Sequence, residues 1–420
     1  MSEITITKRQ RSYTLFLLVL VFTSSHVDRQ IVAILQEPIK HAFGISDTQL
    51  GLLTGVMFAL FYATLGMPMA MWADRRNRRN LITFSITLWS GMTALCGAAL
   101  QFWQLLITRV GVGVGEAGSN PPSHSVISDL YGPTERATAM AIFGVGVNIG
   151  VMLGYLIGGW VNEWLGWRWA FVVAGAPGLI IALMVRFTMT EPPRGYADGI
   201  QEKPPAPPFW SVVTTMWHNS TIRHLLAANI LISFAGYAGI AWTPVYFQRI
   251  HGMSTGESGT WLAVMIGLGG GIGTFLAGYL ADKFGKTNEG WRAWVVTVSI
   301  IVYTPMSILA FTADNASSAL FWFAGPAFLG GAYIGTNFAL LQSHLGVEMR
   351  SVGAAINLFL LNIIGLGLGP LFVGIISDLT QPTFGIDSVR YGLLFTVVIM
   401  VWGAVHQYRV GQLLKRVASQ

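Results

Sequence analysis

Long apolar runs separated by short polar patches make up almost the whole chain. Twelve of these runs are long enough to cross a bilayer as helices, which takes about 20 residues at about 1.5 Å each. They are expected near 13–36, 49–72, 81–101, 103–128, 136–161, 168–188, 223–247, 258–281, 291–312, 318–345, 351–377 and 389–409. One interval differs. Between Glu191 and Pro208 the chain carries Pro192, Pro193, Pro204, Pro205, Pro207 and Pro208 among mixed charges. Proline at that density ends helices and leaves a semi-extended linker. The pattern predicts an all-α polytopic membrane protein: six spans over 1–190, a cytoplasmic linker over 191–222, and six spans over 223–420.

Composition supports the same class. Only 10% of the 420 residues are charged and 53% are hydrophobic, with mean hydropathy +0.56, whereas a soluble domain carries about 25% charged residues. The net charge of +6 follows from topology, and no nucleic-acid partner is expected. With the N-terminus placed inside, nineteen Lys and Arg fall on inner loops, and Lys40, Arg168, Arg249 and Arg390 fall outside. By the positive-inside rule both termini are expected to be cytoplasmic. Lys8, Arg9 and Arg11 precede the first run and no A-x-A-like site follows, so that helix is expected to be retained.

Several chemistries are excluded. The lone Cys96 rules out a disulfide framework and a cysteine metal site. Gly111, Gly113 and Gly115 spell part of a nucleotide loop, but they lie inside an apolar span with no preceding strand and are read as packing glycines. No H-E-x-x-H sequence and no metal-spaced histidine set occurs. The expectation is therefore no enzyme, no metal and no cofactor, with protons as the coupling ion.

Of 25 basic and 19 acidic side chains, four lie in the interior of the spans, away from their ends: Asp28, Arg29, Arg109 and Glu116. A charge in hydrocarbon costs about 2.5–3.5 kcal/mol by insertion scales, so such residues pair or line a polar cavity. Arg109 and Glu116 are seven residues apart and share one helix face. Depth along the two antiparallel spans matches Asp28 with Arg109 and lets Arg29 reach toward Glu116. This suggests a coupling scheme. An anionic substrate group takes over Arg29 or Arg109, and the carboxylate left without its partner, Asp28 or Glu116, takes a proton. Arginine suits such a group because it stays charged and forks onto phosphate. His26, two residues before Asp28, is a candidate relay, and a static ion-pair lock between spans 1 and 4 is the alternative.

The second half has no Asp, Glu, Lys or Arg in the interior of its spans. It offers Tyr237, Trp242, Asn337 and Asn357 as polar or aromatic cavity candidates, with Phe338 and Phe359 as apolar ones. A cavity charged on one side and apolar on the other fits an amphiphile. In span 5, Gly146, Gly150, Gly154 and Gly158 form a smooth small-residue ridge suited to close helix approach.

The halves also echo each other. Ala73-Asp74-Arg75-Arg76-Asn77-Arg78-Arg79 follows span 2, and Gly278-Tyr279-Leu280-Ala281-Asp282-Lys283-Phe284-Gly285-Lys286 follows span 8. The second loop is similar to the G-x-L-a-D-r-x-G-r-k signature of the major facilitator superfamily. Arg109 through Glu116 resembles that superfamily's R-x-x-x-G-x-G stretch in helix 4, and Trp167-Arg168-Trp169-Ala170-Phe171 resembles its helix 5–6 loop. Val27-Asp28-Arg29, Phe43-Gly44-Ile45-Ser46-Asp47, Thr108-Arg109 and Gly113-Val114-Gly115-Glu116-Ala117 are similar to the Spinster family. The resemblance implies the major facilitator fold, with two pseudo-symmetric six-helix bundles and alternating access. It also implies a lysolipid or sphingolipid phosphate as substrate. Asp74, Arg75, Arg78 and Asp282 would then be gating residues on the cytoplasmic face, with Asp74 near the start of span 11 and the arginines meeting Glu135 or other acids. The glycine ridge would gate where helices 5 and 8 meet. The expected setting is a monomer among membrane lipids, in a bacterial inner membrane. Rival readings are an exporter of organic anions or drugs, and a ligand-binding receptor or scaffold without transport. Short termini and a short linker speak against the last.

Overall fold

The computed structural model describes residues 6–197 and 208–418. Among these residues there is no strand. The helices are α1 (Lys8–Ile34), α2 (Gln36–Phe43), α3 (Asp47–Gly51), α4 (Met57–Arg75), α5 (Arg78–Cys96), α6 (Phe102–Ala117), α7 (Asn120–Leu130), α8 (Pro133–Leu165), α9 (Trp167–Thr188) and α10 (Phe209–His218). They continue with α11 (Ser220–Arg249), α12 (Thr255–Leu262), α13 (Gly270–Gly285), α14 (Trp291–Thr312), α15 (Ala316–Leu329), α16 (Ala332–Ser343), α17 (Arg350–Leu360), α18 (Gly369–Phe384) and α19 (Ser388–Ala418). π-helical segments Leu52–Val56, Ala263–Gly269 and Leu361–Leu368 join α3 to α4, α12 to α13 and α17 to α18.

Every expected span falls on helix, and the all-α membrane class stands. Nine stretches among the described residues are long and apolar enough to cross a membrane, and the longest, Arg350–Arg416, covers two expected spans. The expected spans outside those nine fall on α5 and on α6–α7. Polar Arg78, Arg79 and Asn80 open α5, and Arg109 and Glu116 sit within α6.

Three boundaries differ from expectation, each for a local reason. The run 103–128 breaks at Gly118–Ser119, and α7 restarts with Pro121 and Pro122 in its first turn, where a missing N–H costs nothing. The run 81–101 ends at Cys96, where Gly97 lets the backbone pass against the Arg168 carbonyl. Of the expected linker, 198–207 lies outside the described residues. Residues 209–218 form α10 because no proline follows Pro208 and Val212 and Met216 find an apolar cluster with Leu341, Leu345 and Leu414. Helix starts follow their caps. Thr7–Gln10 and Ser46–Gln49 are reciprocal capping boxes, and Asn77, Asn219 and Asn315 cap α5, α11 and α15. Gly166, between α8 and α9, has φ +88°, a conformation that favours glycine.

The described residues form two compact units, 6–39 with 57–197 and 255–263, and 40–56 with 208–254 and 264–418. In the first, α1 lies along α8, with the glycine ridge turned to it. A Cβ at Gly150 would sit 2.5 Å from both the Thr23 carbonyl oxygen and His26 Cβ, and one at Gly154 would sit 2.7 Å from Gln30 Cβ. Another face of α8 meets α12. A Cβ at Gly259 would lie 2.5 Å from the Tyr155 carbonyl oxygen, and Glu163 accepts the Gly256 N–H at 3.0 Å. In the second unit, Asp378 near the end of α18 accepts the N–H groups of Asp47 and Thr48 at 3.0 and 2.7 Å, which places a carboxylate at the start of α3. Asp47 in turn accepts from Lys40, Arg249 and Ser377 at 2.6 Å each.

Candidate functional site

The four intramembrane charges meet between α1 and α6 in the first unit. Arg29 donates to Glu116 Oε2 from Nε at 2.9 Å and from Nη2 at 2.7 Å. Glu116 is 1% exposed and Arg29 16% by side chain, so water screens this pair little. Arg109 is buried and donates Nη1–H to the backbone carbonyl of Asp28 at 3.3 Å. Its charge therefore lies near Asp28 without gripping the carboxyl. Asp28 is fully buried, and neither carboxyl oxygen has a hydrogen-bond partner. Glu116 Oε1 is also without one. The chemistry follows from this asymmetry. One acid is neutralised by a forked arginine, and the other is held dry beside a guanidinium that does not bond to it.

Span 2 adds aromatic groups that sequence reasoning missed. Arg29 lies over the rings of Phe58 (4.8 Å) and Tyr62 (4.7 Å), and Arg109 lies 5.4 Å from the Phe58 centroid. Phe58 and Tyr62 stack on each other at 5.3 Å, one turn apart on α4. A guanidinium over a desolvated ring gains about 2 kcal/mol. The available signal was aromatic spacing of four, which looks no different from a lipid-facing stripe.

His26 belongs to another environment. Its Nδ1 lies 2.9 Å from the Phe22 carbonyl and 3.3 Å from Ser25 Oγ, and its Cβ packs on Gly150. In the second unit, Asn229, Asn337, Asn357 and Gln407 form a closed buried amide network. Asn229 Nδ2 donates to Asn357 at 3.0 Å, Asn337 Nδ2 to Asn229 at 2.7 Å, and Gln407 Nε2 to Asn337 at 2.7 Å. Gln407 carried no signal beyond its position in an apolar span. Trp242 is buried, with Nε1–H donated to the Pro370 carbonyl at 2.8 Å. Tyr237 is half-buried, and Phe338 and Phe359 are exposed.

The loop residues also separate. Asp74 and Arg75 are exposed, with Arg194 4.0 Å from Asp74, and Asp282 is exposed. Arg78 is fully buried. It donates Nε–H to Glu191 at 2.9 Å and Nη2–H to the Pro192 carbonyl at 2.7 Å, and it pairs with Asp129. Arg11, not the 75–79 loop, pairs with Glu135. The glycine ridge faces α1, while Tyr155, Gly159 and Glu163 carry the α8 face that meets α12.

Paired charges inside the helical spans mark a polar site within the membrane. The sequence profile of the Major Facilitator Superfamily matches residues 15–370, and the chain belongs to that superfamily. It is 31% identical over 408 residues to an MFS-type efflux pump of Mycolicibacterium smegmatis, covering 93% of this chain and 92% of that protein. It is 26% identical to Protein spinster homolog 1 of Xenopus tropicalis, covering 90% and 76%. It is 25% identical to a probable L-galactonate transporter of Escherichia coli, covering 95% and 89%. Its structure is similar to the inward-facing, unoccupied crystal form of a bacterial homologue of the human lysosomal transporter Spinster. That likeness has a TM-score of 0.87 at 31% identity, covering 98% of this chain and 99% of the other. The chain is thus a Spinster-related facilitator and not an enzyme.

Proposed function

We propose that this transporter moves an amphipathic anionic lipid, a lysophospholipid or a sphingolipid phosphate, by proton-coupled alternating access. The observation that carries the reading is the Arg29–Glu116 pair beside the unpartnered carboxyl of Asp28. A phosphate headgroup competes with Glu116 for Arg29, because both are anions that accept the same fork. When the headgroup takes the guanidinium, Glu116 is left buried without its counter-charge and takes a proton. Asp28 supplies a second carboxyl whose charge no hydrogen bond stabilises. Arg109 holds positive potential at the site in both states. The apolar second half, with Phe338 and Phe359, takes the acyl chain. In this reading both termini lie in the cytoplasm of a cell with a bacterial inner membrane, the transporter acts as a monomer, and Asp74 and Asp282 gate on that side.

Uptake of labelled lysophosphatidylglycerol into proteoliposomes, with and without an imposed pH gradient, tests this. Gradient-dependent uptake lost in Asp28→Asn supports both parts. Wild-type protein that inserts correctly and moves no lysolipid sinks the substrate class. The likeness to an efflux pump and to a probable sugar-acid transporter favours a second reading, export of smaller organic anions or drugs. Competition of many unrelated compounds for one uptake pathway would select it.

A further inference from the structure

We infer that α10 is an interfacial helix that seats the second unit on an anionic membrane surface, with Trp210 and Trp217 among the lipids and neighbouring cations on the headgroups. This seating involves neither the substrate nor the protons of the reading above. At ten residues α10 is about 15 Å long, too short to cross a bilayer. Asn219 alone separates it from Ser220, where the long apolar helix α11 begins, so it lies where a span meets the membrane edge.

The sequence gives α10 three faces. Val212 and Met216, four residues apart, are 0% and 2% exposed and pack on the apolar cluster that holds Leu341, Leu345 and Leu414. Trp210 and Trp217, seven apart, share a second face and are 75% and 68% exposed. Ser211, Thr215 and His218 lie on a third, polar face. There Ser211 Oγ donates to the Pro208 carbonyl at 2.7 Å and Thr215 Oγ1 to the Ser211 carbonyl at 2.8 Å, so both hydroxyls serve their own helix. An indole has an apolar body and a single N–H, which suits the bilayer–water boundary better than either phase alone. A helix with an aromatic face beside a polar one lies in that boundary plane.

The charge around the helix selects the lipid. α10 itself carries no Asp, Glu, Lys or Arg. The cations come from elements packed on the same apolar cluster. Arg223 follows Ile222 on α11, Arg350 follows Met349 at the start of α17, and on α19 Arg409 precedes Val410 and Lys415 follows Leu414. All four are exposed, and Glu348, before Met349, is the acid among these sequence neighbours. An excess of exposed cations beside a span end attracts anionic headgroups, and the cytoplasmic leaflet, where the proposed topology puts α10, is the one rich in them. Indoles and cations then meet two layers of one surface, the acyl boundary and the phosphates. The bilayer that surrounds α11 brings both layers to α10 together.

Spin-label depth in liposomes tests this on the full chain. Cys96→Ser removes the lone cysteine, and Trp217→Cys, Trp210→Cys or Thr215→Cys then carries a single nitroxide. Each tryptophan reporter leaves the other indole in place, and either serves if its companion does not fold. Collisions with oxygen, which concentrates in lipid, are compared with collisions with a water-soluble nickel chelate. In phosphatidylglycerol liposomes the oxygen-to-nickel ratio at 217 and 210 is expected to exceed that at 215 severalfold. The excess is expected to shrink in phosphatidylcholine, and also in phosphatidylglycerol at about 1 M salt, where the Debye length is about 3 Å. Arg223→Gln combined with Lys415→Gln should shrink it at low salt. Nickel that reaches 217 and 210 as readily as 215 overturns the inference by leaving the helix in water. Labels at 217 and 210 shielded from both reagents overturn it by placing protein, such as a second copy of the chain, on the aromatic face. An equal ratio in the two lipids, unmoved by salt, overturns the anionic assignment.

Discussion

Replacing Glu116 by Gln removes one charge from the Arg29–Glu116 pair and keeps its shape. Two guanidinium N–H groups converge on one oxygen at 2.7 and 2.9 Å, with the carboxylate 1% exposed. At about 4 Å between charge centres, the Coulomb attraction is roughly 4 kcal/mol with an effective dielectric of 20. Breaking a buried pair from one side costs about 3–5 kcal/mol. Arg29 retains its stack on Phe58 and Tyr62, which offsets about 1–2 kcal/mol of that loss. The net expectation for Glu116→Gln is a destabilisation of about 2 kcal/mol. Arg29→Met strands the carboxylate instead, which has no ring beneath it, and costs about 3 kcal/mol. The double variant leaves neither charge buried, so it should be more stable than the sum of the singles by at least about 2 kcal/mol. Reversible denaturant unfolding in mixed micelles measures all four corners of the cycle. Losses that add to within about 0.5 kcal/mol would refute the reasoning, because they would mean the two side chains do not depend on each other.

Other consequences are open to measurement. Gly150→Ala puts a methyl 2.5 Å from the Thr23 carbonyl oxygen, so a loss of about 1–3 kcal/mol is expected in the same unfolding assay; no loss would mean that α1 and α8 are less tightly apposed than their backbones indicate. Asn337→Leu strips partners from Asn229 and Gln407 and should cost about 1–3 kcal/mol, checked by thermal stability in detergent, with near-wild-type behaviour arguing against a closed network. Asp378→Asn weakens the carboxylate at the start of α3 and should cost about 0.5–2 kcal/mol. Faster amide exchange at Asp47 and Thr48 is the readout, and unchanged protection would count against the cap.

Hydropathy made the helices legible because a bilayer imposes length and apolarity together. Asp28, Arg29, Arg109 and Glu116 stood out for the converse reason, since charge in hydrocarbon is costly enough to be conspicuous. What escaped was whatever the membrane does not penalise. Phe58 and Tyr62 look like any aromatic pair in a lipid-facing helix until Arg29 is seen above them. Gln407 completes an amide network in which Asn337 and Asn357 were visible as residues but not as partners. The break at Gly118–Ser119 had its signal in Ser119-Asn120-Pro121-Pro122, a polar and proline-bearing stretch inside the expected span, and α10 was hidden by the prolines just before it.

The π-helical segment Leu52–Val56 closes two residues before Phe58. Each π turn holds about one residue more than an α turn. Were that surplus residue released and the turn closed as α, everything after it would swing about the helix axis by about 100°. Gly51, wedged against the backbone of α18 with a would-be Cβ 2.6 Å from the Pro370 carbonyl oxygen, fixes the stationary end. Phe58 and Tyr62 lie on the swinging end. A slip of a single residue would therefore sweep the aromatic platform from beneath Arg29 without stretching or breaking the rod. The winding of Leu52–Val56 thus sets the phase at which Phe58 and Tyr62 present their rings to Arg29.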